Sequence, residues 1–243
     1  MLKGFIALID SGVGGISTLL EMKKIMPNEN YIYLGDNANA PYGEKSIRTL
    51  KKYLTNNLPL LNDYKVKAIV VACNTLSVCL REFVEDFCGV KTFGVYPSVH
   101  KHMIKGEKTL LLATPNTVKN YSNILGLDAL SLPNLAIEIE RKINDLNSVE
   151  VLSHLKKANC TFELYDTVVL GCTHYYFVKN QIINHLKPRK IDCCSNYTAQ
   201  KVFEYLSTKN MLENDRKNQI KFIGDCASIN QNFYSSVVNR CLK

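Results

Sequence analysis

Apolar and polar positions along this chain switch period repeatedly, and the switches mark its elements. Eight short runs rich in β-branched or aromatic residues read as strands: Phe5–Ile9, Tyr31–Leu34, Ala68–Ala72, Thr92–Val95, Thr109–Ala113, Thr167–Leu170, Lys190–Cys193 and Ile220–Ile223. Between most of them apolar residues recur every three to four positions. Ile16, Leu19 and Leu20 form one flank and Lys23 and Lys24 the other, until Pro27 stops the helix. Ile47, Leu50, Leu54, Leu58 and Leu61 keep the same period, with a kink expected at Pro59. Leu76, Leu80, Phe83, Val84 and Phe87 do likewise up to Gly89. Strands alternating with helices predict an α/β fold of mostly parallel sheets flanked by helices, built from right-handed βαβ units. No low-complexity or linker-like segment interrupts the pattern.

Two of these runs are near copies. Val70-Val71-Ala72-Cys73-Asn74-Thr75 and Val168-Val169-Leu170-Gly171-Cys172-Thr173-His174 each end a buried strand in a cysteine followed by threonine, 99 residues apart. Leu110-Leu111-Leu112-Ala113-Thr114 is a weaker copy of Ala7-Leu8-Ile9-Asp10-Ser11. A first strand and then a cysteine strand therefore occur twice, which predicts two pseudo-symmetric lobes with a cleft between them. Ligands of open parallel sheets sit beyond the carboxyl ends of the strands, and Asp10, Asp36, Cys73, Thr114 and Cys172 all fall there.

Composition narrows the picture. With 243 residues and 46 % hydrophobic content the chain can bury a full core. No apolar run approaches the ~18 residues of a membrane span. Met1–Asp10 lacks a cleavage site of the secretory kind, so a cytoplasmic location is expected. Nine cysteines with no Cys-x-x-Cys fit free thiols better than a disulfide framework or structural zinc. The net charge of +8 is interleaved with acids, the densest spot being His100, Lys101, His102, Lys105 and Lys108 around Glu107. A small anionic substrate drawn by a mildly positive field suits this better than nucleic acid as the main partner.

The chemistry concentrates at the strand ends. Asp10-Ser11-Gly12-Val13-Gly14-Gly15 follows a strand and opens a helix, as an anion cradle would. Ser17 stands where a dinucleotide fingerprint needs its third glycine, so a Rossmann cofactor site is disfavoured, and a tight turn without ligand is the competing reading. An aspartate ahead of the glycines would repel a phosphate and better suits a substrate ammonium or a proton carrier. Gly35-Asp36 and Pro41-Tyr42-Gly43 read as a strand end and a turn. For Cys79, Cys88, Cys160, Cys193, Cys194, Cys226 and Cys241, burial as small apolar residues is the default. Cys73 and Cys172 differ, because each precedes a helix start whose dipole favours the thiolate. Asn74, Thr75, Thr173 and His174 supply donors for carboxylate oxygens, while Asp10 near Cys73 and His174 near Cys172 are candidates for proton handling.

Taken in order and spacing, Asp10–Gly15, Gly35-Asp36 with Pro41-Tyr42-Gly43, Ala72–Thr75, Ala113-Thr114 with Thr117, and Gly171–His174 resemble the glutamate racemases of the cofactor-independent aspartate/glutamate racemase family. The resemblance runs from about Ile9 to Asp225. It implies interconversion of L- and D-glutamate by proton transfer at Cα, no pyridoxal phosphate, other cofactor or metal, and D-glutamate supplied to bacterial peptidoglycan synthesis, hence to cell-wall biogenesis and cell shape. Cys73 and Cys172 look like the acid/base thiols, supported by Asp10, His174 and Glu140, with Glu138 a rival for the last role. Asp10, Ser11, Pro41, Tyr42, Gly43, Asn74, Thr75, Thr114, Thr117, Thr173 and His174 look like the substrate contacts. The implied domains are 1–95 plus 190–243, carrying Asp10 and Cys73, and 96–189, carrying Thr114 and Cys172. A small acidic amino acid is the expected partner, with no membrane and with a homodimer as the candidate assembly.

Three features depart from the family pattern. Gly94-Val95-Tyr96-Pro97 lacks an acid usually found there, Tyr176 replaces a common proline, and the chain is short after Glu140. An aspartate or broad-specificity amino-acid racemase of the same family is the runner-up activity. A nicotinamide-dependent oxidoreductase or an inactive binding protein are the rivals from other classes.

Overall fold

A computed structural model describes residues 4–213, 218–225 and 227–241. Its strands form two wholly parallel sheets. The first has the order β4-β3-β1-β2-β9, from β1 (Phe5–Asp10), β2 (Asn30–Gly35), β3 (Val66–Val71), β4 (Thr92–Gly94) and β9 (Ile220–Ile223). The second has the order β6-β5-β7-β8, from β5 (Thr109–Ala113), β6 (Asp128–Ser131), β7 (Thr167–Gly171) and β8 (Lys190–Asp192). Matching β1, β2, β3 and β4 to β5, β6, β7 and β8 superposes the two orders, and β9 is an addition to the first edge. The duplication expected from the cysteine strands is therefore a duplication of topology.

The central strands are buried along their whole lengths, because helices cover both faces of each sheet. Helix α1 (Ile16–Ile25) buries Ile16, Leu19 and Met22. These share one apolar cluster with Ile6 and Leu8 of the first sheet and Leu111, Ala113 and Val169 of the second. Helix α2 (Ile47–Asn57) starts at Ser46, whose hydroxyl accepts the Thr49 amide at 3.2 Å. Pro59 does not kink it; the helix tightens into a 3₁₀ turn over Leu58–Leu61. Helix α3 (Asn74–Cys88) buries Leu76, Leu80 and Val84 and ends at Gly89, whose φ of +62° is the left-handed closure that glycine favours.

Lys190–Asp192 pairs with β7 and so belongs to the second sheet, not the first unit as the sequence boundary has it. The chain returns only after Asp192. Its carboxylate accepts the Cys194 amide at 2.8 Å and the Ser98 hydroxyl at 2.9 Å, pinning the return to the outward crossing. Helix α9 (Ser195–Thr208) then packs on α1, where Ser195 and Thr18 hydroxyls meet at 3.0 Å. Beyond it Lys67 and Glu29 form a fully buried ion pair at 2.6 Å, and Glu29 accepts the Glu213 amide. Strand β6 is absent from the sequence pattern because Asp128-Ala129-Leu130-Ser131 is half-exposed and lacks a β-branched residue.

Candidate active site

The duplicated strands deliver the two cysteines to one place. Cys73 follows β3 and caps α3, while Cys172 follows β7 and enters a 3₁₀ turn over Thr173–Val178, where the sequence suggests a helix start. Both are almost wholly buried, and both line a single small cavity of about 10 Å³. Its wall also contains Ser11, Pro41, Tyr42, Gly43, Asn74, Thr75, Thr114, Thr173 and His174. Asp10, Thr117 and Glu140 stand behind this wall and act on it through their hydrogen bonds. Ala136 is the wall residue that no motif announces.

One side is organised around His174. Its Nδ1 lies 3.7 Å from Cys172 Sγ and its Nε2 2.7 Å from Glu140 Oε1. That same carboxylate oxygen accepts the Val13 amide at 2.8 Å. Burial opposes a charge on the ring, but the hydrogen bonds to Cys172 and Glu140 and the Glu140 charge outweigh it, holding the His174 pKa well above its ordinary value. The glycine loop thus has a different use from the expected substrate cradle. Its Val13 amide is occupied by the protein's own Glu140, and its Gly12 amide by Asp10 Oδ1 at 3.1 Å. A Cβ on Gly12 would sit 1.7 Å from Glu140 Oε1, and one on Gly14 2.5 Å from His174 Nδ1. The glycines are there to let the second lobe's acid and imidazole lie against the first lobe's backbone.

The other side is organised around Asp10. Thr173 donates its hydroxyl to Asp10 Oδ2 at 3.3 Å. Burial raises the Asp10 pKa to about 6, against the opposing pull of His174 and of the Gly12 amide. Burial and then the Asp10 charge push the Cys73 thiol well above its ordinary range, and the Leu76 and Thr75 amides only partly offset them. The helix start therefore does not make Cys73 a resting thiolate, because desolvation exceeds the pull of the amides.

The remaining wall is neutral. No Lys or Arg lines it among the described residues, so the basic excess of the chain is not gathered at this cavity. Thr75, Thr114 and Thr117 bring three buried hydroxyls together across the lobes, at 3.0 Å, 3.3 Å and 3.4 Å. The Asn74 amide donates to the Val95 carbonyl at 2.9 Å. The Tyr42 hydroxyl donates to Asp36, which also accepts from Asn39 at 2.8 Å, and the Tyr42 ring stacks on Tyr53. Glu138 is turned away, accepting from Lys142 at 2.7 Å, His154 at 2.6 Å and the Glu150 amide at 3.1 Å. Its surroundings distinguish the two candidate acids, since Glu140 alone reaches His174.

Tyr96, in the position of the missing acid, folds its ring over Gly94 and interacts with Arg81. Of the cysteines expected to be structural, Cys160 and Cys194 are buried and Cys79, Cys88 and Cys193 are partly exposed. Cys226 lies outside the described residues, as does the side chain of Cys241. No group of three or more His, Cys, Asp or Glu is placed to hold a metal among the described residues, and no helix there is long and apolar enough to cross a membrane.

No model of a known protein family matches the sequence. Individual proteins do. Glutamate racemase 2 of Bacillus subtilis is 33 % identical over 225 residues, covering 85 % of this chain and 83 % of the relative. A glutamate racemase of Clostridium botulinum (strain Alaska E43) is 35 % identical over 240 residues, 92 % of each. Among solved structures, glutamate racemase RacE1 of Bacillus anthracis aligns with a TM-score of 0.79 at 25 % identity, over 98 % of this chain and 93 % of that one. The Thermus thermophilus glutamate racemase, solved with β-chloro-D-alanine, gives 0.78 at 28 % identity, over 97 % and 93 %.

Proposed function

Because this chain belongs to the glutamate racemase family, we propose that Cys73 and Cys172 are the acid/base pair that interconverts L- and D-glutamate. The observation that carries this is their shared cavity: two thiols from corresponding strand ends of two lobes line the same space. A substrate held between them presents opposite faces of its Cα to the two sulfurs.

In one direction a thiolate takes the α-proton. The C–H pair passes to Cα and delocalises into the α-carboxylate, while the new S–H forms behind it. The opposite thiol gives its proton to the other face and its S–H pair stays on sulfur as the new thiolate. The reverse direction exchanges the roles. The α-proton is a weak acid, so the developing charge requires donors fixed in a dry site. Ser11, Asn74, Thr75, Thr114 and Thr173 offer hydroxyls and amides for that purpose.

Each sulfur has its own proton-handling support. His174, charged and braced by Glu140, places a positive charge 3.7 Å from Cys172 Sγ, where it stabilises negative sulfur. Asp10, with its pKa brought to about 6, is suited to relieve Cys73 of a proton that the buried thiol otherwise keeps. The neutral wall suits a substrate whose carboxylates are bound by dipoles. The D-glutamate formed would serve peptidoglycan synthesis. The test is incubation with L-glutamate, and separately L-aspartate, in heavy water, following optical rotation and α-deuterium. Loss of rotation with deuterium incorporation is expected for glutamate, and faster turnover of aspartate would move the assignment to the runner-up.

A further inference from the structure

The 41–45 segment of the first lobe borders the cavity, and two of its carbonyls are tied to the second lobe through one residue. Pro41, Tyr42 and Gly43 form part of the cavity wall. The Gly43 carbonyl accepts the Asn116 amide at 3.0 Å, and the Lys45 carbonyl accepts the Asn116 side-chain Nδ2 at 2.9 Å. Asn116 thus holds two carbonyls of the strap, two residues apart, from helix α5 (Pro115–Tyr121) of the other lobe. Glu44 between them accepts the Asn134 amide at 3.2 Å, a second tie to the same lobe. Gly43 has no side chain to hold the strap away: a Cβ there would lie 2.4 Å from Thr114 Cβ. Asn120 in turn donates to the Asn116 carbonyl at 2.8 Å, fixing the helix turn that aims the clasp.

The wall residues are nearly all below a tenth exposed, Cys73 at 6 % and Cys172 at 8 %. No amino acid enters such a space unless part of its cover moves. Pro41, Tyr42 and Gly43 belong to neither a strand nor a helix, whereas most of the rest of the wall is strand ends and helix starts, and Tyr42 anchors the strap in the first lobe's core. We propose that Asn116 is a positioning residue, the clasp that holds the 41–45 strap shut over the two sulfurs and whose release admits substrate and frees product. This rests on the two-thiol reading for its catalytic consequence, though not for the closure itself.

The test uses the whole protein with Asn116→Ala and Asn116→Asp, the latter setting a carboxylate against the Lys45 carbonyl. Alkylation of each cysteine by iodoacetamide, without substrate, is followed by mass spectrometry, with the partly exposed Cys88 as internal control. Loss of a hydrogen bond of this kind corresponds to roughly tenfold, so Cys73 and Cys172 should be alkylated about ten times faster, with the larger effect for Asp and no change at Cys88. In turnover, KM for glutamate should rise by roughly the same factor while kcat changes by less than about threefold. Unchanged labelling of both sulfurs overturns the clasp. So does an equal acceleration at Cys88, which marks general loosening. If the parent protein racemises neither glutamate nor aspartate yet the variants still expose the two sulfurs, the clasp stands and the racemase reading fails.

Discussion

Glu140 and His174 meet at 2.7 Å, and the oxygen that makes this contact also takes the Val13 amide at 2.8 Å. One carboxylate oxygen thereby joins the glycine loop, helix α6 (Leu135–Arg141) and the turn after Cys172, segments more than 30 residues apart in each case. The loop whose glycines suggest a ligand cradle is instead the seat for a side chain that sets the charge of the histidine. Glu140→Gln keeps the shape and removes the charge. Charge-assisted hydrogen bonds contribute about 1.5–3 kcal/mol, so kcat should fall roughly 10- to 100-fold. With its partner gone the imidazole releases its proton at lower pH, and the alkaline limb of kcat should move down the pH scale. A pH profile of the variant checks both.

Gly12→Ala should be at least as damaging to activity as Glu140→Gln while leaving the protein folded. The added Cβ meets the far end of the Glu140 chain, which can swing aside, but only by leaving His174. Circular dichroism and kcat measured together decide this: a folded, weakly active protein is expected.

Asp10 couples activity to stability with opposite signs. Its pKa is 3.8 ordinarily and about 6 in the fold, so the folded protein binds this proton more tightly. The stabilisation is complete below about pH 4 and is lost as pH rises through 6; at about 1.4 kcal/mol per unit the cost of the charged carboxylate at pH 8 is about 3 kcal/mol. Asp10→Asn should therefore raise Tm by several degrees at pH 8, leave it little changed at pH 4, and reduce kcat by about 10²-fold or more. The acid limb near pH 6 should vanish with it.

Glu138 is the control acid. Burial works against its charge, but hydrogen bonds from Lys142 and His154 and from the Glu150 amide lower its pKa to about 2. Its stabilisation is present above the ordinary value of 4.5 and is lost as pH falls towards 2. Glu138→Gln should cost about 2 kcal/mol at pH 7 after allowance for its partial exposure, and kcat should stay within about twofold. Thermal melts at pH 7 and pH 3 would show the difference shrinking in acid.

The residues that face the cavity were largely legible because strand-end motifs are local: Cys73-Asn74-Thr75 and Cys172-Thr173-His174 each sit where a buried run stops. The two-lobe plan of parallel sheets was legible for the same reason, but the edge strand at 128–131 was hidden by its composition and Lys190–Asp192 was assigned to the other lobe. Three things lay beyond the local pattern. The state of the Cys73 thiol depends on desolvation and on Asp10, which only tertiary packing supplies. The choice between Glu138 and Glu140 depends on which face of α6 meets His174. The partner of the glycine loop is 127 residues away, so nothing near Val13 signals it.

The most direct test of the two-thiol account is α-deuterium exchange and racemisation measured together for Cys73→Ser and Cys172→Ser, starting from each enantiomer of glutamate in heavy water. The account predicts that each variant loses racemisation by several orders of magnitude while the parent exchanges and inverts with the same pair. Racemisation at the parental rate by either variant would contradict it.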